Sequence, residues 1–545
     1  MILFSSTAQT QVSTRTTPDI VSTKGISGSL HKENIGTIKF NSGMFSKTKY
    51  QESDFLDAHE INENGDFNFV AFFDNSLTNY LHQLDTTLTV DELIQKGNFQ
   101  FTFYVDGKLI YTENLNVGSG TPRQKNEDTI LYRPLISSEN YDSWGRFLWM
   151  RFFYRNGGNV SLEIGEHTLG IEIRPYLEHN GLRVGDVIAE GEIVVKMAEL
   201  GEVGEEEKSI QTIQPNSGWV ESTADFNEEP IRTLNERIAQ KRFKDITSIV
   251  VIKNGELLIE EYFNGADRRT LHDTRSVGKS FASTLAGIAL KEGHLKSLDQ
   301  TLNEFYGLKE YANYSQEKGE VTLRSLLTMS SGFLGNDDDY ESPGNEENMY
   351  PTDDWVRFTL DLPMDKTKDT GEKWEYFTAG AMLMGDIIDE TVPQGFEQYA
   401  DEKLLKPLGI TEYKWPYRPK GVPSTAGGMR MRALDFAKYG QLYKNGGTWK
   451  GQRIIPEDWV EATMTNYFAD KPGQTPYGLL FWNHTFKVNG TSYETYQCRG
   501  NGGNYVIVFK DEPLVIVITA TAYNTFYGHS QVNLMLLSYI LPALM

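Results

Sequence analysis

Two pairs of strand-like runs, far apart in the sequence, constrain the fold of this chain more than any other feature. The first pair, TSIVVIKNGELLIEEYF, turns at Asn254-Gly255, and the second, NYVIVFKDEPLVIVITATAYN, begins at Asn504. Helical patterns lie between them, including SVGKSFASTLAGIALKEG, which should end near Gly293, and a closing helix is predicted from His529. Strands at both ends with helices between them predict one α/β (α+β) domain whose sheet joins both termini.

The first 200 residues have a different pattern. FQFTFYVDGKLIYTENL places two alternating runs around Asp106-Gly107, which predicts a hairpin, and HTLGIEIRPYL and GDVIAEGEIVVKM alternate again. The aromatic stretch WGRFLWMRFFYRNGG, from Trp144, is interpreted as a further strand and turn. Several short strands without a long helical pattern predict an all-β sandwich-like domain or a jelly roll.

Changes in composition divide the chain into four segments. Residues 1–24 are predicted to be a flexible N-terminal segment, and residues 25–200 the sandwich-like accessory domain. Residues 201–224 begin with a stretch rich in Glu and Gly, which favours an acidic linker. Residues 225–545 are predicted to form the α/β domain.

The charge of the chain limits its partners. The formal net charge is −23 at pH 7, whereas nucleic acids and anionic membrane surfaces bind clustered Lys and Arg. We therefore expect neither as a partner. No apolar run approaches the roughly 18 residues of a membrane span, so no membrane span is predicted.

The N-terminal residues bear on location. The apolar Ile2-Leu3-Phe4, followed by small residues, resembles the tail of a secretory signal peptide whose basic start would lie upstream; a disordered tail is the alternative. An exported, periplasmic protein is expected in the first case and a cytoplasmic one in the second.

Ser276 and Lys279 stand at the start of a predicted helix. Residues three apart lie on one face of a helix, so the amino group would lie near the hydroxyl. A serine hydroxyl needs a base to act as a nucleophile, and a lysine is a base only when neutral, a form that burial favours. The N–H groups of the helix start would stabilise an oxyanion. The spacing alone also fits an ordinary helix start with a lysine on its outer face.

Several stretches, in a fixed order, resemble the serine β-lactamase and penicillin-binding-protein superfamily, in the group related to class C β-lactamases, D-aminopeptidases and esterases. SVGKSF matches the Ser-x-x-Lys helix start of that family, and VTLRSLLTMSSGF and STAGGMRMRALDFAKYGQLYKNGG match two later segments. The resemblance covers roughly residues 230–545. It implies a β-lactamase-like hydrolase domain with an antiparallel sheet and helices, in which Ser276 is the nucleophile.

A second family motif lies in GEKWEYFTAGAMLMG, where Tyr376-Phe377-Thr378 aligns with a Tyr-x-Asn or Tyr-x-Ser element. The resemblance implies that Tyr376 and Lys279 share the general-base and general-acid work, in a division that the sequence leaves open. Thr378 keeps a hydroxyl but lacks the amide of the Asn form, and it is predicted to bind substrate. An ordinary buried aromatic residue is the alternative for Tyr376.

The third motif, Lys-Thr-Gly or His-x-Gly in many relatives, is assigned to Gly500-Asn501-Gly502, at the start of a predicted strand. These residues are predicted to bind substrate, because glycine lets a ligand approach the strand edge closely. By the alignment, the N–H of Gly503 joins that of Ser276 as an oxyanion donor. A Gly-rich hairpin turn is the alternative interpretation.

Gly500 stands where a lysine or histidine often holds a substrate carboxylate. Arg499 is adjacent, but neighbouring residues of a strand point to opposite faces. The missing cation favours an esterase or amidase over a β-lactamase or carboxypeptidase.

The segment LGNDDDYESPGNEENMYPTDDW contains no Lys or Arg. It lacks the spacing of an EF-hand, and a solvated loop is the simplest interpretation. If it lies near the cleft, it would disfavour anionic substrates and favour neutral or amine-bearing ones.

Other mechanisms lack their motifs. The chain has nine His but no G-x-S-x-G elbow, no H-E-x-x-H and no complete P-loop, and its one cysteine, Cys498, excludes an intramolecular disulfide. His272 is interpreted as structural. We therefore predict no cofactor and no metal.

The sequence as a whole predicts a two-domain serine hydrolase. Ser276 attacks an ester or amide carbonyl of a small molecule or peptide and forms an acyl-enzyme that water cleaves. The alternatives are a D-amino-acid peptidase, a β-lactamase or penicillin-binding activity, and a non-catalytic ligand-binding protein on the same fold. The oligomeric state and the role of the N-terminal domain remain open.

Overall fold

The computed structural model describes residues 18–43, 45–61, 66–137, 144–162, 165–197, 202–471, 473–488, 490–525 and 527–545. The chain divides into two units, Met1–Glu202 and Val203–Met545. Most of the predicted flexible segment, residues 1–17, lies outside the described residues. So do residues 198–200, at the end of the predicted accessory domain, and residue 201, the first of the predicted linker.

The N-terminal unit is rich in β structure. Its strands are β1 Ile38–Asn41, β2 Ala58–Ile61, β3 Phe67–Phe72, β4 Gly97–Val105, β5 Lys108–Asn114, β6 Ile130–Ile136, β7 Gly165–Glu178, β8 Leu182–Val184 and β9 Ala189–Met197. One sheet has the order β1-β3-β6, and a second has the order β2-β9-β7-β4-β5, with β8 paired to β7. The predicted hairpin joins β4 to β5. Asp106 and Gly107 have φ of 50° and 74° there, as a tight two-residue turn requires.

The stretch from Trp144, predicted as a strand, is helical. The helices of this unit are α1 Ser29–Glu33, α2 Leu77–Leu84, α3 Val90–Lys96, α4 Pro122–Glu127, α5 Trp144–Met150 and α6 Gly158–Ser161. Leu148, Trp149 and Phe152 are buried, and their spacing places them on one helical face. Helical periodicity therefore outweighs the strand preference of the aromatic residues.

The second unit is built on a six-stranded antiparallel sheet. The strands of the whole unit are β10 Ile246–Lys253, β11 Glu256–Tyr262, β12 His272–Asp273, β13 Tyr413–Lys414, β14 Arg430–Met431, β15 Thr448–Trp449, β16 Gln452–Arg453, β17 Trp482–Val488, β18 Thr491–Gly500, β19 Asn504–Phe509 and β20 Leu514–Ala520. The main sheet has the order β11-β10-β20-β19-β18-β17, and a small sheet has the order β12-β14-β13. Because β10 pairs with β20, the predicted sheet that joins both ends of the domain is confirmed.

Helices cover both faces of the main sheet. The helices of this unit are α7 Glu205–Lys208, α8 Glu228–Ala239, α9 Val277–Glu292, α10 Gln316–Gly319, α11 Leu323–Leu327, α12 Glu346–Met349, α13 Trp355–Asp361, α14 Thr378–Thr391, α15 Gly395–Ala400, α16 Ala433–Lys444, α17 Glu457–Met464, α18 Gly528–Met535 and α19 Leu541–Leu544. In β10, Val250 and Ile252 pack in one core with α9 and α14, whereas Ile249 and Val251 pack in another with α8 and α18. Gly293 ends α9 with φ of 81°, as predicted.

The described part of the predicted linker makes ordered contacts within the second unit. Gln211 N donates to Glu261 Oε1 at 3.1 Å, and Leu257 N donates to the Val220 carbonyl at 2.8 Å. An edge strand such as β11 leaves backbone groups without a partner strand, and this segment binds both the N–H and the carbonyl of Leu257. The predicted domain boundaries stay a prediction.

In the described ranges, no helix is long and apolar enough to cross a membrane.

Candidate active site

Ser276 stands at the N-terminal end of α9. Its Oγ accepts a hydrogen bond from Lys279 Nζ at 2.8 Å. The preceding residue, Arg275, has φ of 51°, a left-handed conformation that is uncommon outside glycine and costs about 1–3 kcal/mol. The Arg275 carbonyl accepts hydrogen bonds from the N–H of Gly278 at 3.0 Å and of Gly428 at 2.8 Å. Two separate segments thus hold the backbone next to Ser276.

Lys279 is buried, with 2% of its surface exposed. Besides Ser276, its Nζ donates to the Ala426 carbonyl. That carbonyl comes close because Gly427 follows it: a Cβ at Gly427 would lie 2.8 Å from the Arg275 carbonyl oxygen. The sequence had assigned no role to this segment, although the paired glycines of STAGGM were the available signal.

Tyr376 lies beside Ser276 and Lys279. Its ring centroid lies 5.2 Å from Lys279 Nζ, and the ring stacks on Trp482 with centroids 5.8 Å apart. Burial raises the pKa of the Tyr376 phenol above its usual value, while the Lys279 charge and a hydrogen bond with Ser276 act in the opposite direction. The structure brings Ser276, Lys279 and Tyr376 together.

Thr378 is the first residue of α14 and is fully buried. Its backbone N–H donates to Asp337 Oδ2 at 2.6 Å. Among the described residues, Thr378 is not part of the cavity lining next to Ser276. Substrate binding by Thr378 therefore stays a prediction.

Gly500 ends β18 directly against the backbone of Ser276. A Cβ at Gly500 would overlap the Thr274 carbonyl oxygen and would lie 3.1 Å from Ser276 N. Asn501, the next residue, lines the same cavity as Ser276, and its Nδ2 donates to Asn524 Oδ1 at 2.6 Å.

Gly502 and Gly503 form the turn into β19, with φ of 91° and 89°. A Cβ at Gly503 would lie 2.6 Å from the Gly528 carbonyl oxygen, at the start of α18. Gly500, and not Gly502 or Gly503, is thus the glycine in close contact with the backbone of Ser276, and the donor role of Gly503 stays a prediction.

A cavity of about 610 Å³ opens at Ser276. Lys414 and Arg430, register partners across β13 and β14, both line it. The guanidinium of Arg499 lies over the Trp482 ring, 5.1 Å from its centroid, and outside the cavity lining. The cations that line the cavity are therefore Lys414 and Arg430 of the small sheet and Arg275 just before α9, and these three do not belong to β18.

Residues 334–355, called the acidic loop below, reach the cavity. Glu346, Glu347, Tyr350 and Trp355 belong to its lining. Asp337, at the base of the loop, donates its N–H to the Tyr376 carbonyl at 2.8 Å. The sequence left the proximity of this loop conditional, and no local pattern marked Asp337.

Asp337 lies among groups that change its acidity. Burial raises the pKa of the Asp337 carboxyl to about 6, the nearby Glu346 carboxylate acts in the same direction, and Lys279 acts against them. The Oδ1 atom also accepts the Glu346 N–H at 2.8 Å.

His272 is buried behind the site. Its Nδ1 lies 3.2 Å from Thr247 Oγ1 and 3.1 Å from Thr519 Oγ1, and burial lowers its pKa to about 4. These contacts fit the structural interpretation. Within the described ranges, no three His, Cys, Asp or Glu side chains are arranged to hold a metal ion.

The chain is similar in sequence to known proteins. The family model described as Beta-lactamase matches residues 236–536. A penicillin-binding protein of Bacillus subtilis (strain 168), PbpX, is 24% identical over 285 residues, which cover 46% of this chain and 68% of that protein. A D-alanyl-D-alanine carboxypeptidase of Escherichia coli (strain K12) is 24% identical over 325 residues, covering 59% of this chain and 71% of that protein.

Among solved structures, a beta-lactamase from Bacteroides dorei DSM 17855 is similar, with a TM-score of 0.47 and 19% sequence identity. The match covers 57% of this chain and 98% of that one.

Proposed function

We propose a function from the premise that the chain belongs to the Beta-lactamase family. It is a hydrolase of the serine β-lactamase fold. In the proposed reaction, Ser276 Oγ attacks an ester or amide carbonyl and forms an acyl-enzyme as the alcohol or amine leaves, and water then cleaves the acyl group. The 2.8 Å hydrogen bond between Lys279 Nζ and Ser276 Oγ carries this proposal.

The proton transfers divide between two side chains. Lys279 would take the proton of Ser276, because its Nζ is the nitrogen within hydrogen-bond distance of Oγ. Because burial raises the pKa of Tyr376, its phenol stays protonated and fits the general acid that delivers a proton to the leaving group.

The oxyanion would be stabilised by two backbone N–H groups. One is that of Ser276, at the start of α9. The close contact of Gly500 with the Ser276 segment supports Asn501 N–H as the second donor, in place of Gly503.

Gly500→Ala tests that contact. We expect kcat/KM to fall at least about 100-fold, because the added methyl overlaps the Thr274 carbonyl oxygen and must displace β18 or the nucleophile. Steady-state hydrolysis of a p-nitrophenyl ester measures the change. Gly307→Ala is the matched control, since a Cβ there meets nothing closer than Glu310 at 3.8 Å. Equal kcat/KM for both variants and the wild type would contradict the proposed role of Gly500.

Peptide cleavage next to a free carboxylate is a second candidate. Lys414 and Arg430 line the cavity and provide cations that a terminal carboxylate would contact. The similarity to a D-alanyl-D-alanine carboxypeptidase is compatible with this activity.

A substrate panel tests the proposed function and separates the two candidates. It contains p-nitrophenyl esters, D-aminoacyl amides, a peptide ending in two D-alanines and a chromogenic cephalosporin. We expect ester hydrolysis to be fastest and cephalosporin hydrolysis slowest, because β18 supplies no cation to the cavity. Faster cleavage of the D-alanyl peptide would favour the carboxypeptidase. Absence of turnover and of fluorophosphonate labelling in folded protein would favour a binding protein.

A further inference from the structure

The charged residues that line the cavity at Ser276 come from different parts of the fold. The small sheet brings Asp273, Lys414 and Arg430, and Asp273 lies 3.5 Å from Arg430 and 3.7 Å from Arg275. The acidic loop brings Glu346 and Glu347. The cavity therefore has a cationic part and an anionic part within one site.

Glu346 lies beside a second carboxylate, that of Asp337. Across the residues described, no Lys, Arg or His forms an ion pair with its carboxylate. Its Oε2 accepts a hydrogen bond from the Tyr350 hydroxyl at 2.7 Å, and Glu346 itself is partly buried. A partly buried carboxylate without a cation attracts a positively charged ligand more strongly than an exposed one does.

Asp337 fixes the position of Glu346 relative to the catalytic group. Its Oδ1 accepts the Glu346 N–H at 2.8 Å, and its Oδ2 accepts the Thr378 N–H at 2.6 Å. Its own N–H donates to the Tyr376 carbonyl at 2.8 Å. Glu346 is thus tied by one intervening residue to both ends of the Tyr376-Phe377-Thr378 motif.

Glu346 also acts electrostatically on Tyr376. The Glu346 carboxylate contributes to the raised pKa of the Tyr376 phenol, so its charge acts on the group proposed to protonate the leaving group. A cation bound at Glu346 would therefore lie close to the reacting carbonyl, within the same cavity.

We propose that Glu346 is a specificity-determining residue, which selects acyl substrates that carry a protonated amine. This inference rests on the proposed function of Ser276. The substrate ammonium lies toward the acidic loop, the acyl carbonyl lies at Ser276, and any anionic group lies toward Lys414 and Arg430. An anionic acyl group directed at the loop is disfavoured by like charge.

The test compares two esters of nearly equal shape, p-nitrophenyl β-alaninate, which carries an ammonium group, and p-nitrophenyl butyrate, which is neutral. In Glu346→Gln, we expect the ratio of kcat/KM for the cationic ester to that for the neutral ester to fall about tenfold, mainly through a higher KM of the cationic ester. In the wild type the ratio should also fall as salt is raised, because a partly exposed charge pair is screened.

Glu341→Gln is the matched control, because Glu341 is an exposed carboxylate of the same loop outside the cavity lining. Its ratio should equal that of the wild type. A fall of threefold or more that is confined to Glu346→Gln supports the inference, and a smaller fall, or an equal fall in both variants, overturns it.

The same measurements separate this inference from the proposed function. Hydrolysis of both esters with a ratio unaffected by Glu346→Gln rejects the amine selection and leaves Ser276 catalysis in place. If the wild type hydrolyses neither ester and takes up no fluorophosphonate, the proposed function fails and the inference fails with it.

Discussion

Ser276→Ala abolishes turnover while the protein remains folded; this is the largest effect that we expect of any substitution. Removal of the nucleophile takes away the atom that forms the acyl-enzyme, and kcat should fall by at least about 10⁴-fold. The fold should persist, because Lys279 keeps its hydrogen bond to the Ala426 carbonyl and the backbone contacts of Arg275 do not involve the Ser276 side chain.

Labelling by a fluorophosphonate probe, with thermal unfolding followed by circular dichroism, measures both parts of this expectation. Ser283→Ala is the control, because Ser283 is a buried serine of the same helix whose Oγ makes no hydrogen bond within the described structure. Ser283→Ala should react with the probe and hydrolyse substrate like the wild type. Full activity or full labelling of Ser276→Ala would contradict the assignment of the nucleophile.

Lys279→Met should give the second largest loss, with kcat/KM lower by about 10³-fold. The Met side chain has a similar length but cannot accept the Ser276 proton, and general-base catalysis contributes about 10²–10⁴-fold. The variant should also lose some stability, about 1–3 kcal/mol, because the buried Ala426 carbonyl loses its donor. Steady-state kinetics and chemical unfolding measure the two effects.

Lys291→Met provides the comparison for Lys279→Met. Lys291 belongs to the last turn of the same helix and is exposed. Its replacement should therefore leave kcat/KM and the free energy of unfolding near the wild-type values. If Lys279→Met loses stability but keeps its kcat/KM, Lys279 holds the structure and another group takes the proton.

The sequence predicted the local features of the second unit well. The Asn254-Gly255 turn, the end of α9 at Gly293 and the pairing of the first and last strands all follow from turn chemistry and hydrophobic pattern. Ser276 and Lys279 lie within one helical turn of each other, so local helix geometry alone predicts that their side chains are close.

The remaining features depend on contacts between distant segments. Gly500 is distinguished from Gly502 and Gly503 only by its contact with Thr274, which lies far away in the sequence. Asp337 is held in position by hydrogen bonds with Tyr376 and Thr378. The sequence of its own loop contains no pattern that predicts these hydrogen bonds.

The pairing of β10 with β20 has a consequence for the folding of this enzyme. Val250 and Val517 are register partners, so a central contact of the sheet closes a loop of more than half the second unit. Contacts of such high sequence separation form slowly, and during synthesis β20 emerges long after α9 and its nucleophile. The nascent chain therefore carries Ser276 and Lys279 before the sheet against which α9 packs can close. Hydrolytic activity is acquired only after β20 has emerged, when the helix that carries Ser276 and Lys279 has its complete support.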